Sequence, residues 1–162
     1  MSNGKSQDLF QIIRLGITLD DVSDNVLSEH INDSNEYGRN LLQEAIAHRQ
    51  EAYALFLINK GINVNHRDEN GATPLHYAAV YKLPLIAESI LKHNGDPNLF
   101  DKHGNGPLWT AVFNARGEYK IVELLRDFNA EVNSKNLYGK SPLDFADQIK
   151  DNILINLLTK KN

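Results

Sequence analysis

The amino-acid sequence predicts an all-α protein, a solenoid in which pairs of helices stack side by side. Three observations predict this fold. A glycine-centred segment recurs with steps of 33, 33 and 35 residues, at Gly38, Gly71, Gly104 and Gly139. Signals for the start of a helix follow each glycine, and a second run of apolar residues at helical spacing completes the first three units. A constant period of this length is typical of stacked repeats, in which each unit buries its apolar face against the next.

The length and composition limit both the fold and the function. The 162 residues suit one domain, and 41% hydrophobic with 23% charged residues is close to an average globular protein. The net charge of −4 and the lack of a basic block argue against a nucleic-acid partner. The absence of cysteine excludes disulfides and thiolate metal sites. No apolar run approaches the ~18 residues of a membrane span and no signal-peptide core opens the chain, so we expect a cytoplasmic protein with no membrane partner.

The segment before the first glycine predicts a divergent N-terminal capping repeat at residues 8–34. The stretches LFQIIRLG and LDDVSDNVLSEHIN have the spacing of two short amphipathic helices, the second with Thr18 or Asp20 as its N-cap. Residues 1–7 and the last three residues are expected to be irregular chain ends.

The first helix of each unit is predicted from the way it starts. The glycine suits the positive φ of a tight turn. Two residues later stands a residue type that serves as an N-cap. In three of the four units a proline follows at the first helical position, where its missing N–H costs nothing. The N-cap positions are Asn40, Thr73, Gly106 and Ser141, and the prolines are Pro74, Pro107 and Pro142.

The second helix of each unit is predicted from its apolar spacing and its end. The stretches AYALFLINKGINVN, IAESILKHNGDPN and IVELLRDFNAEVN end at Gly61, Asn94 and Asn129, residue types that tolerate the left-handed conformation after a helix. Asparagines then mark the connection to the next turn, at Asn32, Asn65, Asn98 and Asn133. We therefore predict units at residues 35–67, 68–100, 101–135 and 136–162. The third carries two extra residues, and the last is a C-terminal cap.

These features resemble the ankyrin-repeat family, whose TPLHxAA core stands in the second unit as TPLHYAA at residues 73–79. The resemblance covers residues 35–158. It implies an L-shaped, slightly curved array with a concave face, in which the turns project at right angles to the helix pairs. In the family the histidine of this core ties neighbouring loops together by hydrogen bonds. Three units depart from the pattern at this position, which Gln43, Trp109 and Asp144 occupy.

The residues that could take part in catalysis, phosphate binding or metal binding are better explained by structural roles in the repeats. His76 is the most obvious candidate for a general base, but its aligned partners share no acid–base chemistry and no nucleophile is evident beside it. The two GKS sequences, at residues 4–6 and 139–141, lack the preceding glycine of a phosphate-binding loop. The histidines also lack the spacing of metal ligands. We therefore expect no catalytic residue, no cofactor and no metal.

The positions that vary between units are expected to bind a partner. Because the regular positions are used for stacking, the turn tips and the exposed ends of the first helices remain. Aromatic residues there are typical of binding hot spots, although turn aromatics can also merely cover a neighbouring unit. The predicted partner-binding residues are Tyr37, Arg39, His48, Glu69, Asn70, Tyr81, Lys102, His103, Asn105, Phe113, Asn114, Arg116, Tyr138 and Lys140. The two extra residues of the third unit, within FNARGEYK, predict either a neutral loop or a further contact in which Asn114, Arg116 and Glu118 reach the partner.

The sequence favours one function and leaves alternatives open. The resemblance implies a non-catalytic adaptor or inhibitor that binds another protein through the concave face, and we expect the protein to be monomeric. The first alternative is an immunity protein or inhibitor that neutralises a toxin or enzyme, with the acidic net charge aiding encounter with a basic target. The second is an enzyme with an unrecognised site, which needs a deep pocket lined by convergent titratable groups. A role as one segment of a longer array is disfavoured by the polar, divergent ends.

Overall fold

The computed structural model describes residues 3–17 and 24–160. Within these residues the chain forms ten α-helices and no β-strand, which confirms the predicted all-α repeat fold. The helices are α1 (Asn3–Leu15), α2 (Asp24–His30), α3 (Leu41–Ala47), α4 (Glu51–Asn59), α5 (Pro74–Tyr81), α6 (Pro84–Lys92), α7 (Pro107–Asn114), α8 (Lys120–Asp127), α9 (Pro142–Ile149) and α10 (Asn152–Thr159).

The helices are arranged in two layers. The first helices α3, α5, α7 and α9 each pack on the next, and the second helices α4, α6, α8 and α10 do the same. Each first helix also packs on the second helix of its own pair, and α1 packs on α3. The main contacts therefore run between neighbouring pairs, as expected of a solenoid.

The hydrophobic core continues through the stack and thins at its C-terminal end. Leu42, Leu75 and Leu108 hold the same position in three successive first helices, and all three are fully buried. Leu143, at the equivalent position of α9, is only half-buried. Helix α9, the first helix of the C-terminal unit, is thus covered by a neighbouring unit on one side only, as expected of a terminal unit.

The helix starts follow the four predicted caps, since Asn40, Thr73, Gly106 and Ser141 are the N-caps of α3, α5, α7 and α9. In α3, α5 and α9 the side chain of the third helical residue accepts a hydrogen bond from the N-cap backbone N–H and completes a capping box. The pairs are Asn40 with Gln43, Thr73 with His76, and Ser141 with Asp144. Helix α7 lacks this arrangement, because its N-cap Gly106 has no side chain and Trp109 stands at the third position.

The four turn tips share one construction. A side-chain oxygen accepts hydrogen bonds from the backbone N–H groups two and four residues later. For Asp68 the donors are Asn70 and Ala72, at 2.8 and 2.9 Å. The equivalent acceptors are Asn35, Asp101 and Asn136. The glycine of each tip has a positive φ between +69° and +76°, which explains why the same residue recurs there.

Backbone hydrogen bonds join neighbouring tips into one continuous edge. The donors are the N–H groups of Glu69, Lys102 and Leu137, and the acceptors are the carbonyls of Tyr37, Asn70 and His103, at 3.3, 2.8 and 2.9 Å respectively. The glycine corners therefore follow one another along a single edge of the stack.

The recurring asparagines join the return loops on the other side of the stack. The Oδ1 atoms of Asn32, Asn65 and Asn98 accept from the backbone N–H groups of Asn63, Asp96 and Glu131, at 2.9, 2.8 and 2.9 Å. Asn65 and Asn98 also donate to the carbonyls of Asn94 and Asn129, the residues with positive φ after α6 and α8. Each asparagine thus connects its own loop to the next, which accounts for its spacing in the sequence.

The N-terminal region differs from the expectation in one respect. Helix α1 begins at Asn3, so the expectation of an irregular end is wrong for residues 3–7. Leu9 and Ile13 are buried in the core and hold the helix in place, and the polar residues before them continue it, since adding a turn to an existing helix costs little. The proposed caps Thr18 and Asp20 lie outside the described residues.

Candidate functional site

The turn tips and the exposed sides of the first helices form one surface, which we call the inner surface. It comprises the tips at residues 35–39, 68–72, 101–105 and 136–140 and the exposed sides of α3, α5, α7 and α9. Contacts between tip and helix show that the two parts adjoin: the Arg39 guanidinium lies 5.5 Å from the ring centre of Tyr37 and 5.3 Å from that of Tyr77 in α5. The Tyr77 hydroxyl in turn donates to Asp68 at 2.7 Å.

The predicted partner-binding residues fall into two groups by exposure. Ten of them are exposed on the tips, the helix ends or the inserted loop: Tyr37, His48, Glu69, Asn70, Lys102, His103, Phe113, Arg116, Tyr138 and Lys140. Four are half-buried: Arg39, Tyr81, Asn105 and Asn114. Side chains of the second group contact the protein itself; the Asn105 side chain accepts from Asn136 at 2.8 Å, and Asn114 donates to the carbonyl of Thr110 at 2.8 Å.

The N-terminal half of the inner surface contains a buried carboxylate that the sequence analysis missed. Glu44 in α3 is only 2% exposed. Its oxygens lie 2.5 Å from Arg14 Nε, 3.4 Å from His48 Nε2 and 3.7 Å from Arg39 Nη1. The hydrogen bond to Glu44 raises the pKa of Arg14, which belongs to α1. One acidic group therefore gathers the guanidinium groups of Arg14 in α1 and Arg39 in the first tip together with the imidazole of His48 at the end of α3.

His76 belongs to the scaffold. Its Nδ1 atom accepts from the Thr73 backbone N–H at 3.0 Å, and Nε2 lies 3.0 Å from the carbonyl of Asn105 in the next tip. These contacts require a neutral ring with the proton on Nε2. Burial lowers the pKa of His76, which favours the same state. Gln43 makes the same two contacts in α3, to the Asn40 N–H at 2.9 Å and the Ala72 carbonyl at 2.8 Å.

The variant His76→Gln should remove part of the acid sensitivity of folding. In the wild type the folded state holds the ring neutral, so the unfolded chain binds the proton more readily. This contribution to stability is present above pH ~6.5 and is lost as the pH falls toward the lowered folded pKa. Glutamine does not titrate and can reproduce both contacts. Chemical unfolding of both proteins between about pH 7.5 and pH 5 should show a smaller decline for the variant; parallel declines would contradict the structural role.

The C-terminal half of the inner surface carries an aromatic cluster. Trp109 stacks on Phe113, with ring centres 5.1 Å apart and planes at 14°. Phe145 from α9 lies 5.8 Å from Trp109 and 5.3 Å from Phe113. Phe113 is 52% exposed. The spacing of Trp109 and Phe113 on one helix was a usable sequence signal, but nothing in the sequence indicated that Phe145 completes the cluster.

The inserted loop of the third unit is tied to both neighbouring units. Glu118 forms an ion pair with Lys82 at 2.7 Å, and the Tyr119 hydroxyl donates to Asp151 at 2.9 Å. Arg116, at the tip of the loop, is exposed and has a φ of +46°. The loop therefore contributes to the stack, and a partner contact through Arg116 stays a prediction.

Two hollows along the described part of the stack differ in size and in openness to solvent. The cavity beside the inserted loop, lined by Lys82, Pro84 and Ile121 among others, measures about 50 Å³, whereas ligand sites usually enclose roughly 300–1,000 Å³. A larger hollow beside Arg126 and Ser134 is open to solvent. In the described part of the chain no group of three His, Asp or Glu side chains is placed to hold a metal ion.

Comparison with known proteins relates the chain to a family. A family model described as "Ankyrin repeats (3 copies)" matches residues 56–136, half of the chain. The putative ankyrin repeat protein FPV024 of Fowlpox virus (strain NVSL) is 31% identical over 106 residues, 64% of this chain and 17% of that protein. Rabankyrin-5 of Homo sapiens is 44% identical over 62 residues, 38% of this chain and 5% of that protein.

An enzyme name also occurs among the similar proteins. Palmitoyltransferase ZDHHC13 of Homo sapiens is 37% identical over 97 residues, 59% of this chain and 15% of that protein. The chain thus spans less than a fifth of each of these three relatives. The name describes the activity of the whole relative, of which only 15% is matched. Among residues 3–17 and 24–160, no helix combines the length and the apolar character needed to cross a membrane.

Proposed function

Because the chain belongs to the ankyrin-repeat family, whose repeats generally mediate contacts between proteins, we propose that it is a non-catalytic module that binds a partner protein through its inner surface. In this proposal the partner is bound without being chemically changed, and binding needs no cofactor. The role is that of an adaptor or of an inhibitor, depending on what the bound partner can still do.

The observation that supports this proposal is a difference between recurring and varying positions: the first bond within the stack, and the second leave side chains exposed. The positions that recur from unit to unit are occupied with capping, tip and loop hydrogen bonds inside the stack. The positions that vary leave large apolar and aromatic side chains in solvent on one surface, including Phe113 and Tyr138, which are 52% and 73% exposed. Exposed aromatic side chains gathered on one surface are typical of protein-binding sites.

The predicted binding residues then take two roles. The exposed ones, such as Tyr138, Lys102 and Phe113, contact the partner directly. The half-buried ones hold the surface in shape. Tyr81 illustrates the second role, because its ring lies 5.4 Å from the guanidinium of Arg49 and thereby connects α5 to the end of α3.

Substituting two aromatic residues of the inner surface should weaken partner capture. We expect Tyr81→Ala combined with Phe113→Ala to lower the recovery of a partner from the native source by about tenfold or more, since Phe113 as a hot-spot side chain contributes roughly 2 kcal/mol and Tyr81 no longer connects α5 to the end of α3. Quantitative affinity capture with the tagged protein measures this, and thermal unfolding verifies that both helices remain folded.

A matched control lies on the second-helix layer. Leu85→Ala combined with Ile153→Ala removes two exposed apolar side chains from α6 and α10, with exposed fractions of 64% and 54% against 52% for Phe113. This variant should recover the partner at the wild-type level. If it lost the partner while the inner-surface variant kept it, the inner surface would be the wrong choice. The activity of the captured partner, measured with and without the bound module, then separates inhibitor from adaptor.

A further inference from the structure

The two halves of the inner surface differ in how their cations are used. In the N-terminal half, Arg14 and Arg39 both contact the buried carboxylate of Glu44, and Arg14 also lies 3.7 Å from Glu36. Arg39 additionally covers the ring of Tyr77. These charges are engaged within the protein, so an incoming charged partner has to compete with existing contacts.

In the C-terminal half, the cations are exposed and form no ion pair within the described residues. Lys102 and Lys140 on the third and fourth tips, and Lys135 directly before the fourth, are exposed, and no carboxylate of the described residues lies within 4.0 Å of them. The two tips run side by side, since the Leu137 N–H donates to the carbonyl of His103. The carboxylates present there are used locally: Asp101 accepts two backbone N–H groups at 2.8 and 2.9 Å.

Asp144 illustrates the local use of charge and the position of the lysines. Its carboxylate accepts the Ser141 backbone N–H at 2.9 Å. Hydrogen bonds with Ser141 lower the pKa of Asp144, and the positive charges of Lys135 and Lys140 lower it further. Asp144 directly precedes Phe145 of the aromatic cluster. Helix α9 therefore carries both a carboxylate within the electrostatic influence of Lys135 and Lys140 and, at the next position, a ring of the aromatic cluster.

Trp109 lacks the hydrogen bonds that side chains at the same position make in the first two units. At the equivalent position Gln43 and His76 bind both their own N-cap and the carbonyl of the next tip. The Trp109 indole N–H is buried and has no hydrogen-bond partner within the described residues. The third unit thus gives up a stacking contact and gains aromatic surface. Departures of this kind are expected where a site serves function rather than stability.

We propose that the C-terminal half of the inner surface binds an extended acidic segment of the partner protein that carries a large apolar side chain. The apolar side chain lies against Phe113 and the rings beside it, and the flanking carboxylates lie at Lys102 and Lys140. This inference rests on the proposed function and adds the chemistry of the partner. It also reverses the expectation from the net charge, because an acidic protein here presents free lysines at its binding surface.

A protein segment fits this surface better than a nucleic acid does. Bases could stack on the rings, but a phosphate backbone would run along the tips past the carboxylates of Asp101 and Asp144 and toward a protein of net charge −4. A peptide can place its few carboxylates at the lysines alone. The rest of the segment need not carry negative charge where acidic side chains such as those of Asp101 and Asp144 lie.

Selection of displayed peptides against the whole protein tests the proposal. Random peptides are selected on the wild type, synthesised and titrated, with the fluorescence of Trp109 as the reporter, since it is the one tryptophan in the chain. The selected peptides should combine Asp or Glu with Leu, Phe or Trp. Binding should change the Trp109 emission and should weaken as salt is added.

Charge reversal supplies the matched comparison. Lys102→Glu combined with Lys140→Glu should weaken peptide binding by about tenfold or more. Lys92→Glu combined with Lys120→Glu changes the net charge equally on the second helices α6 and α8 and should leave binding within about twofold. Thermal unfolding of the Lys102→Glu, Lys140→Glu variant should match the wild type. The control variant should unfold slightly earlier, because Lys92 and Lys120 each lose an ion pair within their own helix.

Several outcomes would overturn the proposal. They are a selection that enriches no peptide, enriched peptides that are basic, equal effects of the two charge reversals, and tighter binding of a single-stranded oligonucleotide than of any peptide. Failure here is distinct from failure of the proposed function. If the native partner is still lost from the Tyr81→Ala, Phe113→Ala variant, the inner surface remains the binding site and only the chemistry of the partner is wrong.

Discussion

Replacing Gly38 with alanine should lower the free energy of unfolding by about 3 kcal/mol, roughly three times the loss at Gly139. Both glycines have a φ of +69°, a conformation that costs an L-residue roughly 1–2 kcal/mol. They differ in their surroundings. A Cβ on Gly38 would lie 2.9 Å from the backbone N of Glu69 in the next tip, whereas a Cβ on Gly139 would meet no atom within 4 Å.

The additional loss at Gly38 comes from the neighbouring tip. The Glu69 N–H donates to the carbonyl of Tyr37, so the two tips must separate to admit the methyl group. Because the obstructing atom belongs to the main chain, it cannot rotate away as a flexible side chain would. Weakening this hydrogen bond leaves backbone groups poorly satisfied, at a cost of roughly 1–3 kcal/mol.

Urea unfolding followed by circular dichroism measures the difference. Gly71→Ala should fall between the other two variants, since its Cβ would lie 3.2 Å from the backbone N of Lys102. The denaturant dependence should be unchanged, so that the shifts report stability alone. Equal losses at Gly38 and Gly139 would contradict the idea that the glycine is needed for the approach of the next tip.

The positions that recur were predictable because each repeats a local requirement of the backbone. Asn65 and Asn98 recur because each connects its loop to the next, and the glycines recur because the tip needs a positive φ. A requirement met several times in one chain is visible as a period. The all-α repeat fold could therefore be predicted from the glycine period together with the helix-start signals and the apolar spacing that recur with it.

The features of the candidate site that were missed occur once. Arg14 lies 30 residues from Glu44 in the sequence and belongs to a region without the repeat, so no period connects them. Glu44 aligns with Tyr77, Thr110 and Phe145, and its burial depends on the cations around it. One signal was available: a charged residue within LLQEAIA, an otherwise mostly apolar helix, had to be paired if it was buried. The residues of the candidate site differ from unit to unit, so they produce no recurring pattern in the sequence.

Glu44→Ala should lower the free energy of unfolding by about 3 kcal/mol, whereas Glu118→Ala should lower it by less than about 1 kcal/mol. Both carboxylates form short ion pairs, Glu44 with Arg14 at 2.5 Å and Glu118 with Lys82 at 2.7 Å. The side chain of Glu44 is 2% exposed, while that of Glu118 is 68% exposed. Water replaces the lost partner at the exposed site and cannot do so at the buried one.

The loss at Glu44 should be concentrated at the N-terminal end of the stack. Removing the carboxylate leaves Arg14, Arg39 and His48 close together without their shared acceptor. Repulsion then loosens α1 from α3, so hydrogen exchange should accelerate in α1 and stay nearly unchanged in α9. Glu44→Gln keeps the volume and one acceptor oxygen and should show an intermediate loss. Equal losses of stability in the Glu44 and Glu118 variants would show that burial does not distinguish the two ion pairs. A solenoid transmits a local loss mainly to its nearest neighbours, so uniformly accelerated exchange would contradict the expected local effect.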